Sequence, residues 1–330
     1  MKAVAIENPG PDYRLVLADM PTPTPGPGQV LIKVAAAGLN RADLLQARGL
    51  YPPPPGASPI LGMEVSGEIA ALGSDVRGFH AGERVCALLT GGGYAEYALA
   101  DAGIILPVPQ SVDLAAAAGL PEACFTAWTN VVDSGQLHPG KTLLVHGGTS
   151  GIGSMAIQIF SARGHRVFAT AGSDDKCRAC AALGADRAIN YRSEDFVAVV
   201  KEQTGDQGVD VILDMVGGDY VRRNIEAAAV WGHIVNIAYQ SGAKVEVDFI
   251  PVLTKRLTLA ASTLRSRTPP EKRHIRNTLH EEVWPQLEGG GIRPVIARVF
   301  PLEQAQKAHE TMAGGGHIGK ILLSLAAAGG

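Results

Sequence analysis

The segment Leu143–Gly153 combines residue types that can bind a phosphate: it reads LLVHGGTSGIG, an apolar run, a glycine turn and the start of a helix. The glycines let the backbone turn sharply, and the N–H groups of Ser150, Gly151 and Ile152 at the helix start carry the positive end of its dipole. A glycine turn alone is weak evidence, but an apolar strand precedes this one and an amphipathic helix follows it. The pattern therefore predicts a nucleotide site.

The strand after this helix is expected to decide the type of nucleotide. Its tip, residues 169–173, reads ATAGS and has no carboxylate where NAD enzymes hold the ribose 2′-hydroxyl with an acid. Ser173 and Lys176 can bind a 2′-phosphate there, and Tyr191 after the third strand can pack on the adenosine end. We therefore expect NADPH rather than NADH, provided that Asp174 and Asp175 are exposed acids at the start of the next helix.

Composition limits the class of protein. The chain has 330 residues and a net charge of −3, which predicts two domains and gives no electrostatic attraction for nucleic acid. No window approaches the roughly 18 apolar residues of a membrane span. The N-terminal MKAVAIENPG lacks the features of a signal peptide, so we expect a cytoplasmic protein. The pair Cys177 and Cys180 falls in a predicted helix, which favours reduced side chains.

The residue pattern changes twice along the chain. Residues 1–123 are rich in glycine, proline and short strands, whereas strands and helices alternate from Thr142 to Ser262. After Arg267 the chain is helical and polar, and it closes with a strand that we expect to return to the first domain; the tail after Leu325 is expected to be loose. The predicted strands are 30–37, 64–72, 84–87, 93–98, 142–146, 165–170, 187–189, 209–214, 233–237, 258–262 and 318–325.

These patterns predict an α/β protein in which a doubly wound nucleotide domain is inserted into a β-rich domain. The expected boundaries are 1–123 with 268–330 for the β-rich domain and 124–267 for the Rossmann domain.

Several motifs together resemble the medium-chain dehydrogenases/reductases. Gly38–Pro55 (GLNRADLLQARGLYPPPP), Gly62–Ile69 (GMEVSGEI) and Gly82–Val85 (GERV) resemble their catalytic domain. The resemblance covers essentially the whole chain and implies a GroES-like β-rich catalytic domain plus a Rossmann domain that binds NADPH. It also implies a homodimer or homotetramer joined through edge strands of the nucleotide domains. The residues that resemble the quinone oxidoreductase branch are Glu122, Thr126, Trp128, the GGTSGIG turn, Gly172, Ser173, Lys176, Ile189–Tyr191 and Gly319–Ile321.

A narrower match concerns the segment STLRSR. Its residues Leu264–Arg267 are similar to the p53-inducible quinone oxidoreductase subgroup.

The chain departs from zinc-dependent alcohol dehydrogenases at the metal ligands. Asn40 stands where that branch has a cysteine, Met63 stands where it has a histidine, and the cluster of four cysteines is missing. An amide and a thioether are poor zinc ligands, so we expect no metal. Without a metal to acidify an alcohol, a quinone or an enone is the expected hydride acceptor.

Two residues of the first domain are the candidates for catalysis. Tyr51 lies in the loop GLYPP, where the resemblance places it at the substrate cleft; its phenol can donate to a quinone oxygen, or it can simply pack on the prolines. Asn40 can bind the cofactor near the reacting carbon or support an Asx turn.

Four more residues are expected to contact the cofactor. The family context assigns Thr126 to the nicotinamide side. Ala238 and Tyr239 follow the fifth strand, at the edge where doubly wound sheets bind ligands, although Tyr239 can equally be an interface aromatic. Arg265 can reach the cofactor or another subunit.

The residues leave three functions open. The first is an NADPH-dependent quinone oxidoreductase that transfers hydride without a metal. The second is a 2-enoyl or enone reductase, in which Tyr51 supplies the proton. The third is a nucleotide-sensing or RNA-binding protein on the same fold, which the balanced charge and the lack of a basic aromatic patch disfavour for RNA.

Overall fold

The computed structural model describes residues 1–325, and the tail that was expected to be loose lies outside the described residues. The chain forms two compact units, the first made of Met1–Glu122 with Arg265–Gly330 and the second of Ala123–Leu264. No helix within residues 1–325 has the length and apolar character needed to cross a membrane.

The strands and helices are numbered in chain order. The strands are β1 Lys2–Glu7, β2 Arg14–Asp19, β3 Gln29–Gly38, β4 Glu64–Leu72, β5 Arg84–Leu88, β6 Tyr97–Asp101, β7 Leu106–Pro107, β8 Thr142–Val145, β9 Arg166–Ala171, β10 Arg187–Asn190, β11 Val209–Asp214, β12 Ala228–Asn236, β13 Thr258–Ala261, β14 Ile296–Pro301 and β15 Lys320–Ser324. The helices are α1 Arg41–Ala47, α2 Pro121–Trp128, α3 Gly151–Ala162, α4 Asp174–Ala182, α5 Phe196–Thr204, α6 Tyr220–Ala227, α7 Ile250–Lys255, α8 Pro269–Glu282, α9 Trp284–Glu288 and α10 Ala305–Gly314.

A mostly antiparallel sheet organises the first unit. Its strand order is β14-β15-β3-β4-β5-β7, and β6 also pairs with β3. The closing strand β15 joins β3 and β14, which confirms that the end of the chain returns to the first domain. The predicted strand 93–98 is wrong at its start, because the backbone N–H groups of Gly92, Gly93 and Tyr94 bind carbonyls of the loop at Ile60–Gly62 instead of a strand ladder.

A parallel six-stranded sheet organises the second unit. Its strand order is β10-β9-β8-β11-β12-β13. From β8 the chain first adds β9 and β10 on one side and then β11, β12 and β13 on the other, which is the arrangement of a doubly wound dinucleotide-binding sheet. The six predicted strands are present. One of them, β12, begins five residues before the predicted start, because a register shift lets Ala228 pair with Val209 before His233 pairs with Val211. Cys177 and Cys180 lie in α4 as expected, and both are free thiols.

The alanine-rich segment 113–133 is not one continuous helix. It forms a 3₁₀ turn at Ala116–Gly119, then α2, then a π-helical turn at Thr129–Ser134. Pro121 has no N–H to continue a helix from the preceding turn, so a new helix starts there.

Candidate functional site

The glycine turn of the second unit has the geometry of an anion site. Ser150 caps α3, its Oγ accepting from the N–H of Gly153 at 2.9 Å. A Cβ on Gly153 would lie 2.3 Å from the carbonyl oxygen of Gly147, so only glycine permits this close turn. The N–H groups of Gly151 and Ile152 precede the first intrahelical bonds and are available to a phosphate. The turn can therefore hold a pyrophosphate.

The tip of β9 brings together the residues expected to bind the adenosine end. Ser173 caps α4 by accepting from the backbone N–H of Lys176 at 3.3 Å, which places both residues on the first turn of that helix. A Cβ on Gly172 would lie 2.5 Å from the hydroxyl oxygen of Tyr191, so the ring covers the backbone of Gly172. A hydroxyl, a half-buried lysine and an exposed aromatic ring thus surround one strand end.

Asp174 and Asp175, which follow this strand tip, bind other side chains of the second unit. Both are exposed in the first turn of α4. Asp175 pairs with Arg178, and Asp174 accepts from the side-chain amide of Asn190 at 2.7 Å. The condition on which the preference for NADPH depends is therefore met.

A buried polar network that the sequence analysis missed joins the strand ends of this sheet. Asp214, the last residue of β11, accepts from the side-chain amides of Asn224 at 3.0 Å and Asn236 at 2.9 Å. His146 binds Asn224 Oδ1 through Nε2 at 2.7 Å and Thr170 Oγ1 through Nδ1 at 3.0 Å. Burial lowers the pKa of His146, so the ring stays neutral. Polar residues at the ends of apolar strands were the available signal.

The remaining candidates of the second unit occupy separate places. Thr126 is buried on α2, where its carbonyl accepts from the amide of Asn130 at 2.8 Å. Ala238 and the exposed Tyr239 follow β12 at the carboxyl edge of the sheet, and Tyr239 lies against Gly217. Their expected contacts with the cofactor stay predictions.

In the first unit, Asn40 belongs to a buried ionic cluster. Its side-chain Nδ2 donates to Glu64 Oε1 at 3.0 Å, and its Oδ1 accepts from the ammonium of Lys320 at 2.8 Å. Lys320 also pairs with Glu64 and donates to the carbonyl of Leu39 at 3.0 Å. Glu64 is fully buried, and its second oxygen accepts from the N–H of Glu122 at 2.8 Å. The cluster fixes the amide of Asn40 in one orientation.

This cluster does not fit a zinc ion. Zinc prefers sulfur and nitrogen ligands, whereas Asn40 and Glu64 offer oxygens that already bind the ammonium of Lys320. No group of three or more His, Cys, Asp or Glu side chains within residues 1–325 is arranged to hold a metal.

The backbone N–H of Asn40 connects to a chain of hydrogen-bonded side chains, which are Asp43, Tyr94, His309 and Tyr13. Asp43 accepts from the N–H of Asn40 at 2.7 Å and from the hydroxyl of Tyr94 at 3.1 Å. Tyr94 Oη lies 3.3 Å from Nε2 of His309, whose Nδ1 is 2.9 Å from the hydroxyl of Tyr13. Burial raises the pKa of Asp43 to about 6 and, with the charge of Arg48, lowers the pKa of His309 to about 3.

Tyr51 and Arg265, which the sequence analysis treated separately, lie together. The guanidinium carbon of Arg265 is 5.5 Å from the ring centroid of Tyr51. Burial, together with the charge of Glu122, raises the pKa of Tyr51, so the phenol keeps its proton. Arg265 is 6% exposed, and its two terminal nitrogens have no hydrogen-bond partner within the described residues 1–325.

Family models match both parts of the chain. Residues 26–110 match the family described as alcohol dehydrogenase GroES-like domain, and residues 151–281 match the family described as zinc-binding dehydrogenase. These matches confirm the predicted fold class, a GroES-like domain plus a Rossmann domain.

Individual proteins resemble the whole chain. The quinone oxidoreductase of Lama guanicoe is 32% identical over 328 residues, 98% of each chain. A structure called NAD-dependent alcohol dehydrogenase is 31% identical with a TM-score of 0.86, covering 99% of this chain and 100% of the other. The Escherichia coli quinone oxidoreductase complexed with NADPH is 27% identical with a TM-score of 0.87, covering 98% and 99%. The chain belongs to the quinone oxidoreductase family of the medium-chain dehydrogenases/reductases.

Proposed function

We propose that this chain is an NADPH-dependent quinone reductase that transfers hydride without a metal ion. The observation that carries the proposal is the buried cluster of Asn40, Glu64 and Lys320, whose oxygens bind an ammonium rather than offering ligands to zinc. An alcohol is hard to oxidise without a Lewis acid, whereas a quinone accepts hydride readily because the charge delocalises onto its oxygen. The quinone oxidoreductases among its relatives support the same reaction class.

The cofactor is proposed to be NADPH, bound by the second unit. The N–H groups of Gly151 and Ile152 suit the pyrophosphate, and the tip of β9 suits a 2′-phosphate because Ser173 and Lys176 replace an acid there. The NADPH complex of a relative supports this assignment. The cofactor supplies the hydride, and the chain's residues supply binding and orientation.

The residues of the first unit would position the acceptor. Tyr51 keeps its proton and can donate a hydrogen bond to the acceptor's carbonyl oxygen. The amide of Asn40, held by Glu64 and Lys320, has a second N–H hydrogen that can bind the cofactor or the acceptor. Both groups act mainly by holding the reactants in a productive orientation.

The proposal is tested by steady-state oxidation of NADPH and NADH with quinones, enones and an enoyl thioester. We expect NADPH with a quinone to turn over fastest, and Tyr51→Phe to slow turnover with little change in NADPH affinity. Lys176→Ala should weaken NADPH by about 1–3 kcal/mol and NADH much less, because only NADPH carries the 2′-phosphate. Arg178→Ala on the same helix is the matched control, since Arg178 pairs with Asp175.

Other results would assign another function. Faster turnover of the enoyl thioester would make the chain an enone reductase. Tight NADPH binding without turnover of any acceptor would make it a nucleotide sensor. Equal losses for NADPH and NADH in Lys176→Ala would show that Lys176 is structural.

We also propose that the chain forms a homodimer through the second unit. Strand β13 ends the six-stranded sheet, so its outer edge is available for pairing. Light scattering should give twice the 34.4 kDa of the chain, and Leu253→Glu should lower that mass, whereas a monomeric wild-type chain would contradict the proposal. A cytoplasmic location stays a prediction. The segment 228–261, which contains β12, α7 and β13, carries the exposed apolar side chains Val230, Trp231, Phe249, Ile250, Leu253 and Leu259.

A further inference from the structure

Arg265 is a buried cation whose hydrogen-bonding capacity is mostly unused. Only 6% of the residue is exposed, and in the part of the chain that the structure describes neither Nη1 nor Nη2 has a hydrogen-bond partner. Leaving donors of a buried charge unpaired is costly, and a guanidinium does not lose its proton to escape that cost. The neighbouring carboxylates of Asp43 and Glu122 favour the charged form of Arg265 through space. A ligand that brings a negatively charged oxygen would satisfy it.

The guanidinium is held in place from several sides. Its Nε donates to the carbonyl of Thr90 at 2.8 Å, and its backbone carbonyl accepts from the buried ammonium of Lys272 at 2.8 Å. The ring of Tyr51 lies 5.5 Å from the guanidinium carbon. A group fixed in this way loses little entropy when it binds a ligand. Arg265 is therefore prepared for an oxygen that arrives beside Tyr51.

We propose that Arg265 and Tyr51 together bind the carbonyl oxygen of the acceptor and stabilise the negative charge that hydride transfer places on it. This inference rests on the proposed quinone reduction. Hydride from NADPH forms a new O–H bond at one oxygen of the quinone, the conjugated π electrons shift so that an electron pair moves onto the opposite oxygen, which Arg265 and Tyr51 hold, and NADPH is oxidised to NADP⁺. The hydroquinone monoanion then takes a proton from solvent. Arg265 is thus a catalytic residue, and the site takes quinones and, as product analogues, phenolates.

Two donors directed at one developing oxyanion are the usual electrostatic device for such a step. Removal of one donor of an oxyanion hole costs about 10²–10³-fold in rate. A cation in a water-poor site acts at least as strongly as a neutral donor. The charge of Arg265 matches the charge that appears on the acceptor and disappears again on protonation, so the product is not trapped.

The kinetic test uses the full-length protein with NADPH and 2-methyl-1,4-naphthoquinone. Arg265→Met should lower kcat/KM for the quinone by about 10²–10³-fold, while the Kd of NADPH measured without acceptor stays within about twofold. Arg265→Lys should recover part of the rate, because it keeps the charge but not the planar fork. Arg267→Met, which removes the same charge two residues away, should behave as the wild type. Melting temperatures identify any variant that fails to fold. If Arg265→Met fails to fold, the kcat/KM values of Arg265→Lys and Tyr51→Phe for the quinone decide whether the two side chains act on the acceptor.

A binding test is independent of turnover. 4-Nitrophenol absorbs visible light strongly only as the phenolate, so the wild-type protein should increase that absorbance at a pH below the phenol's own pKa, and Arg265→Met should not. If the wild type binds the phenolate through Arg265 but reduces no quinone, the oxyanion site stands and the proposed function fails. If quinones are reduced and Arg265→Met keeps its rate, or if its NADPH Kd rises in step with the lost rate, the inference is overturned.

Discussion

Two buried cations of the first unit differ in how their charge is paired. Lys320 is 5% exposed, and its ammonium has three oxygen partners, from Leu39, Asn40 and Glu64. Arg265 is 6% exposed, and among the residues that the structure describes its guanidinium has one partner, the carbonyl of Thr90. Desolvation costs several kcal/mol for either charge, so the difference lies in what offsets that cost.

The comparison separates a structural charge from a charge kept for a ligand. Lys320 neutralises Glu64 and fixes the amide of Asn40, so all its donors serve the fold. The terminal nitrogens of Arg265 have no hydrogen-bond partner among residues 1–325, and its guanidinium lies near the ring of the proposed substrate tyrosine. Burial alone therefore does not distinguish the two roles, whereas the count of satisfied donors does.

The largest expected effect tests the structural charge. Lys320→Met leaves the carboxylate of Glu64 buried without a counter-ion, so it should lower the free energy of unfolding by about 3–5 kcal/mol. Chemical denaturation at neutral pH measures the change. Adding Glu64→Gln to this variant should restore part of the stability, because the uncompensated charge is then removed.

Arg265→Met is the matched control for that measurement. It deletes a cation of similar burial that has no direct ion pair with a described residue, so the free energy of unfolding should change by about 1 kcal/mol or less. The two variants should thus separate into one that loses stability and one that loses activity. Equal losses of stability would erase the distinction between the two cations.

The sheet of the second unit was predictable because its signals are local. Short apolar strands alternate with amphipathic helices, and glycines mark the helix ends, so each element can be recognised within its own residues. The candidate site at the tips of β8 and β9 was predicted from the same segments, since its candidate binding groups lie next to the strand ends. Ser150, Ser173 and Lys176 were singled out in this way, and their contacts with a cofactor stay predictions.

The first unit was harder to predict because its contacts join distant segments. Lys320 lies 280 residues from Asn40, and Arg265 lies 175 residues from Thr90. No spacing rule links such pairs. The start predicted for β6, residue 93, was wrong for a related reason. The N–H groups that follow Gly91 bind the loop at Ile60–Gly62, and the local sequence does not reveal this pairing. Tyr51 was predicted from the sequence as a substrate residue, but its proximity to Arg265 is visible only in the folded structure.

A smaller effect than that of Lys320→Met is expected from a third buried charge of the same unit, Asp43. Its carboxylate accepts from the N–H groups of Asn40 and Gly62 and from the hydroxyl of Tyr94, and the charge of Lys320 favours its ionised form through space. Asp43 is thus held by neutral donors, whereas Lys320 is paired with a carboxylate and Arg265 donates to one carbonyl. Burial outweighs these partners and raises its pKa to about 6.

The sign of the resulting pH dependence follows from that shift. An aspartate in the unfolded chain titrates near pH 3.9, so the folded state holds the Asp43 proton more tightly. Its contribution to stability is greatest below about pH 4, falls as the pH rises to about 6 and is constant above, a change of roughly 2–3 kcal/mol. His309, with its pKa lowered to about 3, acts in the opposite direction below about pH 6.5 and masks the change in the wild type alone.

The difference between the wild type and Asp43→Asn isolates the effect. The variant keeps the size of the side chain and cannot titrate, so its stability relative to the wild type should increase between pH 4 and pH 6 and then level off. Urea denaturation of both proteins across this range measures the difference, and His309 cancels because it is present in both. A difference that does not vary with pH would mean that Asp43 keeps the pKa of an exposed acid, and that the donors of Asn40, Gly62 and Tyr94 hold its charge as completely as Glu64 and Asn40 hold that of Lys320.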